Sequence, residues 1–254
     1  MNYYKINKKR NILERASNLS VTTWIIIITV LISVICFLIT FFNPVSIAQV
    51  RNPLSLNDSP FLDYIALKPA NILQGKFLWT LILHIFVHGG LTHLLINMFV
   101  LYSLGRLTER IIGRKRFFWF YVLSGIFAGI LSVLLSGLFG STGLGQIIFG
   151  SPAIFMVGAS GAIFAIAGLY VVLLPRLRFM IIFLPFFSLP AYIMIPLMLF
   201  GFWIFTIALG AATGFFIPVG NVAHFGGFLA GIIYGSYLKS KYKNKIHMLQ
   251  KMFR

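Results

Sequence analysis

The chain has 254 residues, 59% of them hydrophobic and only 10% charged, with a formal net charge of +17 and a mean hydropathy of +0.94. A water-soluble domain of this length needs far more polar surface to cover its core, so the composition excludes that class and points to a membrane protein. The one cysteine, Cys36, lies inside the first apolar run, which leaves no intrachain disulfide framework and no cysteine metal site.

The apolar runs reach the roughly 20 residues that a spanning helix needs, and six of them follow in chain order. Residues 1–20 are a basic tail. The first span, 21–42, has no small-residue cleavage site after it, so it is expected to be retained as a span. A long loop, 43–80, holds Pro44, Pro53, Pro60 and Pro69 with Asp58 and Asp63. The second span is about 90–108 and the third about 117–139. A Gly/Ser-rich stretch from Gly140 to Gly158 leads to a short fourth span, 159–174, stopped by Pro175. The apolar stretch 179–189, broken by Pro185 and Pro190, is expected to run along or just inside the surface. The fifth and sixth spans are about 191–210 and 221–238, and 239–254 is a second basic tail. The expected fold is therefore all-α: a six-helix membrane bundle over 21–238 with a short central fourth helix.

The charge supports this count. Six crossings place 18 of the 21 Lys and Arg residues on one side: both tails, the Arg106–Arg116 cluster, and Arg176 with Arg178. Short basic segments stay cytoplasmic, so both termini are expected there, in a multi-pass protein of the cell membrane. The same placement argues against nucleic acid as the partner, while basic tails can touch anionic membrane lipids.

The fourth span is anomalous. Ser160 to Leu174 is 15 residues, roughly 22 Å of helix against a hydrocarbon core of about 30 Å. Its start must lie below the outer surface, and backbone of that kind is tolerated only inside protein or beside a water-filled cavity. Ser160 heads this helix between small residues, in Gly158-Ala159-Ser160-Gly161. Alone, that pattern is no more than ordinary helix packing. The sixth span changes its meaning. Gly220, His224, Gly227, Gly231 and Gly235 lie on one helical face, and the fourth span offers Gly161, Ala165 and Gly168. Packing these two small-residue faces brings His224 to Ser160, which is the arrangement of an activated nucleophile.

Only four acids exist: Glu14, Asp58, Asp63 and Glu109. None falls within a span at the outer depth, so a dyad is expected in place of a triad. Phe164, one turn after Ser160, is placed to support the imidazole. His93 and Asn97, at i and i+4, can donate to an oxyanion together with the Ser160 amide. No metal ion or other cofactor is called for. His84, His88 and His93 form a candidate metal or haem ligand set, weakened by the lack of a nearby carboxylate or cysteine. A transporter reading is weakened by the absence of intramembrane charge pairs.

Together these residues resemble the rhomboid family of intramembrane serine proteases over about residues 61–238. The resemblance rests on His93-Leu-Leu-Ile-Asn97, Gly158-Ala159-Ser160-Gly161, Ala223-His224-Phe225-Gly226-Gly227 with Gly231, and Gly105, Glu109 and Gly113 at four-residue spacing. It implies Ser160 and His224 as a catalytic dyad, with His93 and Asn97 assisting the oxyanion. It also implies His88 as a structural histidine at the base of the outer loop and Glu109 as a cytoplasmic-side anchor. Transmembrane proteins would be the substrates, reaching a cavity lined by Ser160, His224, His93 and Asn97, with span five or its adjoining loop moving aside. A non-catalytic relative that binds membrane helices is the alternative. Trp79-Thr80 and Phe164 stand where the family often has Trp-Arg and tyrosine.

Overall fold

A 22-residue apolar run becomes helix α1, Val21–Phe42, and its start is fixed from elsewhere in the chain. The computed structural model describes residues 19–42, 60–181, 184–213 and 220–253. The basic residues before position 19, Glu14, Asp58, Arg51, and Pro44 and Pro53 of the long loop lie outside the described residues, as does the turn 214–219.

Three short elements follow: α2 (Pro60–Ile65), α3 (Pro69–Leu73) and α4 (Thr80–Leu83), the last running into a 3-10 turn at His84–Phe86. The next helix, α5 (Leu91–Ile112), leaves that segment at 88°. Gly113, at φ +89, then turns the chain directly into α6, Arg114–Phe139. Positive φ suits glycine because no Cβ opposes it. Helix α7 (Gly143–Phe149) is capped by Thr142, whose hydroxyl accepts from the Gly145 amide at 3.2 Å. It is followed by α8 (Ser160–Leu173), α9 (Ala191–Thr213), α10 (Asn221–Lys241) and α11 (Lys243–Met252).

Between α8 and α9 the chain departs from the all-α expectation. Arg178–Ile181 (β1) and Leu184–Pro190 (β2) pair antiparallel, Arg178 opposite Pro190 and Met180 opposite Ser188. Pro185 and Pro190 break helices, yet each strand of a two-stranded ribbon has an unpaired edge where a missing N–H costs nothing. Arg178 closes the ribbon by donating to the Ser188 carbonyl at 2.6 Å and to its hydroxyl at 3.0 Å. The described part of the run expected at 179–189 is thus a pair of antiparallel strands.

By length and apolarity, α1, α6 and α9 can each cross a membrane, and the bent pair of α4 with its 3-10 turn and α5 makes a fourth. The protein is an integral membrane protein. Helix α8 has only 14 residues, and α10 has enough length but carries glycines, Asn221 and His224 where large apolar side chains would stand.

Helix α8 occupies the centre, packed by α10, α6, α5 and α9. Ala159, Ala165, Ile166, Tyr170 and Leu173 are fully buried. The α8–α10 contact is made by backbone. A Cβ on Gly227 would collide with the Gly161 carbonyl oxygen, and one on Gly231 with the Ala165 carbonyl oxygen. From the opposite side, a Cβ on Gly168 would strike the Phe228 carbonyl. Small residues permit this approach, and dispersion then acts between whole helix surfaces. Tyr170 ties α8 to α5: its hydroxyl donates to the Leu104 carbonyl at 2.6 Å and accepts from Thr108 at 2.9 Å.

Candidate active site

Ser160 is the first residue of α8. As a first-turn residue its amide has no intrahelical acceptor. The approach to it is fixed by backbone pairing: Leu67 and Met156 exchange hydrogen bonds at 3.0 and 2.7 Å, and the Gly158 amide donates to the His84 carbonyl at 2.9 Å. Gly158 adopts φ +123, a conformation that disfavours any side chain. It also lies against the His93 ring, where a Cβ would come within 2.8 Å of Cε1. The turn before the serine is therefore set by both torsion and contact.

His224 enters from the first turn of α10. Its Nε2 and the Ser160 Oγ are 2.8 Å apart. The imidazole stacks on Phe164, with ring centroids 4.5 Å apart and planes at 27°. The glycine contacts hold these atoms together, since they set the distance between the two helices that carry them.

Neither described carboxylate serves the histidine. Asp63 accepts from Asn71 at 2.6 Å. Glu109 is 6% exposed and closes the N-terminus of α1. Its two oxygens accept from the Val21 amide at 2.8 Å, the Thr22 amide at 2.9 Å and the Thr22 hydroxyl at 2.8 Å. A carboxylate at a helix N-terminus satisfies orphan amides and complements the dipole.

The polar residues of α5 approach the serine from the other side. His93 packs against Gly158, and its ring meets His88 edge-on at 5.0 Å. Asn97 is buried and gives one amide hydrogen to the His93 carbonyl at 2.9 Å, leaving a second N–H. His88 bridges three elements: Nε2 accepts from the Ala159 amide at 3.4 Å, and Nδ1 lies 3.2 Å from Ser33 Oγ. Accepting at Nε2 assigns the proton to Nδ1, which donates to Ser33, and Ser33 donates in turn to the Phe86 carbonyl at 3.1 Å. Ser33 was not singled out from the sequence, where it is one of five hydroxyl residues in the first span.

His84 faces Gly129 on α6, and its Nδ1 pairs with the Thr80 carbonyl at 2.8 Å. His84 lies in the 3-10 turn and His88 beyond it, so the two do not share a helical face. No cluster of three or more His, Cys, Asp or Glu side chains fit to hold a metal ion occurs among the described residues. Trp79 donates to the Tyr64 carbonyl at 2.9 Å, and the Thr80 hydroxyl donates to the Phe77 carbonyl at 2.8 Å. Two cavities stand out elsewhere, one between α8 and α11 and one on the surface of α5, and neither is lined by Ser160 or His224.

The family model described as Rhomboid domain matches residues 76–241, a range that includes His88, His93, Asn97, Ser160 and His224. The chain belongs to the rhomboid family. RHOMBOID-like protein 5 of Arabidopsis thaliana is 29% identical over 204 residues, covering 80% of this chain and 58% of that protein. Rhomboid protease GlpG of Haemophilus influenzae is 28% identical over 220 residues, covering 84% of this chain and 91% of GlpG. Rhomboid protease GluP of Bacillus subtilis is 34% identical over 128 residues, half of this chain and 22% of GluP. The chain thus spans nearly all of one rhomboid relative and little more than half, or less, of the other two.

Proposed function

We propose that this rhomboid is an intramembrane serine endopeptidase that cleaves transmembrane proteins with Ser160 and His224 as a dyad. The observation that carries the reading is the 2.8 Å Nε2–Oγ pair, formed across two helices at the head of the short central one. Relatives named as proteases, GlpG and GluP, support it.

In the proposed reaction His224 is neutral, with Nε2 accepting the Ser160 proton and Nδ1 protonated. The alkoxide attacks a scissile carbonyl, and the imidazolium then gives its proton to the leaving amine. The resulting acyl-serine is hydrolysed by water activated by the same imidazole. With neither described carboxylate in reach, the stacked Phe164 ring is what fixes the imidazole plane. Charge on the developing oxyanion falls to the Ser160 amide, the second Asn97 N–H and His93. Gly161 assists by letting Ala128 of α6 pack against the start of α8, where a Cβ would meet it at 2.9 Å, and Gly227 by holding α10 close.

The same proposal gives the chain six crossings of the cell membrane, with α8 and α10 as the fourth and sixth and both basic ends in the cytoplasm. At 14 residues, α8 is roughly 21 Å long, which seats Ser160 below the opposite surface if its Arg176 end lies at the cytoplasmic one.

The test is cleavage of a model transmembrane substrate in detergent or liposomes by wild type, Ser160→Ala and His224→Ala. The expected result is loss of product in both variants, with a fluorophosphonate labelling wild type alone. Equal cleavage by all three would discard the dyad. Cleavage by none, with membrane helices still captured by Ser160→Ala, would favour a non-catalytic client binder.

A further inference from the structure

The cavity at the far end of α8 lies at the opposite end of that helix from Ser160. It has a volume of about 190 Å³ and is lined by Leu174, Pro175, Arg176, His247, Gln250, Lys251 and Phe253. One wall is the chain just after α8; the other is one flank of α11.

The second basic tail, 239–254, carries helix α11. Ile246 is buried, and Tyr242, Leu249 and Phe253 pack against the core on the same face. Gln250 donates to the Val172 carbonyl at 3.4 Å, tying the helix to the last turn of α8. Next to that face come His247 and Lys251, which reach the cavity. Further round, Met248 and Met252 are 68% and 79% exposed. With its apolar face docked on the bundle, the helix presents a basic flank and two exposed methionines side by side.

The cations in the cavity are uncommitted. Arg176, His247 and Lys251 make no hydrogen bond or ion pair with any described residue, and no lining residue is acidic. Two neighbouring cations differ: Arg178 is bound to Ser188, and Lys241 donates to the Tyr237 hydroxyl at 2.9 Å.

We infer that this cavity binds the phosphate of an anionic phospholipid, with Arg176 and Lys251 as its cationic donors, His247 and Gln250 at its sides, and Met248 and Met252 beside the acyl chains. A planar guanidinium and a mobile ammonium, converging from two elements, suit tetrahedral phosphate oxygens. A free phosphate offers the same oxygens but gives the exposed methionines no partner. That difference favours the lipid. The site carries no part of the proposed proteolysis, so its test reads binding alone.

The experiment is native mass spectrometry of the full chain, released from micelles holding equal phosphatidylglycerol and phosphatidylcholine. Wild type is expected to retain phosphatidylglycerol preferentially. Arg176→Gln with Lys251→Gln should cut that retention about thirtyfold, at about 1 kcal/mol per cation. Arg106→Gln with Arg110→Gln, a basic pair on α5 lining the other cavity, should leave it unchanged. Equal retention of both lipids, or no loss in the first variant, would overturn the inference, as would an equal loss in both variants. Displacement of the lipid by equimolar inorganic phosphate would overturn the lipid assignment. If the double change lowers the thermal midpoint, Arg176→Glu alone repeats the comparison, because that side chain is exposed and forms no internal bond.

Discussion

Gly227→Ala separates helix packing from chemistry, because it adds one methyl group and removes no reacting atom. The added Cβ would fall on the Gly161 carbonyl oxygen and crowd the Ala165 amide at 3.3 Å. Both neighbours are backbone, so no side chain can rotate away. Relief requires α8 and α10 to separate by roughly 1.5 Å, since nonbonded heavy atoms want about 3.5 Å. The Ser160–His224 contact now stands at 2.8 Å. The same displacement takes it past hydrogen-bond length. Overpacking of this kind costs about 1–3 kcal/mol, and misplacing reacting groups by about 1 Å can cost 100-fold in rate. The expected outcome is a lower melting temperature in detergent, with substrate cleavage and fluorophosphonate labelling reduced about 100-fold. Gly201→Ala on α9 is the control, because its Cβ would meet only Leu197 Cδ1, at 4.0 Å. If Gly227→Ala matches Gly201→Ala in stability and labelling, the backbone contact does not set the geometry of the site and the reasoning fails.

Phe164→Ala should slow cleavage about tenfold, since a stacked ring pair is worth about 0.5–1.5 kcal/mol, whereas Phe164→Tyr should stay near wild type; equal rates for both would show that the ring does not orient His224. Glu109→Gln leaves one acceptor oxygen for three donors, so thermal unfolding should show a loss of about 1–3 kcal/mol; an unchanged midpoint would remove the cap as a source of stability. Tyr170→Phe deletes a hydroxyl that both donates and accepts, and should cost about 1 kcal/mol in stability while leaving the labelling rate of Ser160 intact.

Much of this protein is legible in one dimension because a bilayer constrains a chain locally. Apolar length and basic flanks announce helices without reference to any neighbour, which is why α1, α6 and α9 match the first, third and fifth runs within a few residues. The Gly227 and Gly231 stripe announced a close partner, since a row of missing side chains has a direct steric meaning. Other features depend on partners far away in the chain. The β1–β2 ribbon could not be read because its prolines exclude a helix without specifying a pairing. The resemblance implied Glu109 as an anchor, and nothing in the sequence pairs it with the start of a helix 87 residues earlier. His88 and Ser33 meet across 55 residues, and no periodicity connects an α1 hydroxyl to a loop imidazole.

The sequence by itself determined that the chain is a helical membrane protein, and that Ser160 and His224 sit on faces small enough to meet. Those are properties of single segments: hydrophobic length, charge, and the absence of a Cβ. The tertiary structure decided the distances. It turned Gly158 to φ +123 against His93, seated the His224 imidazole on Phe164, and folded α11 back beneath α8 to enclose a basic cavity. Each of these needs two or more elements in contact, and contact between distant segments is fixed only when the whole bundle packs.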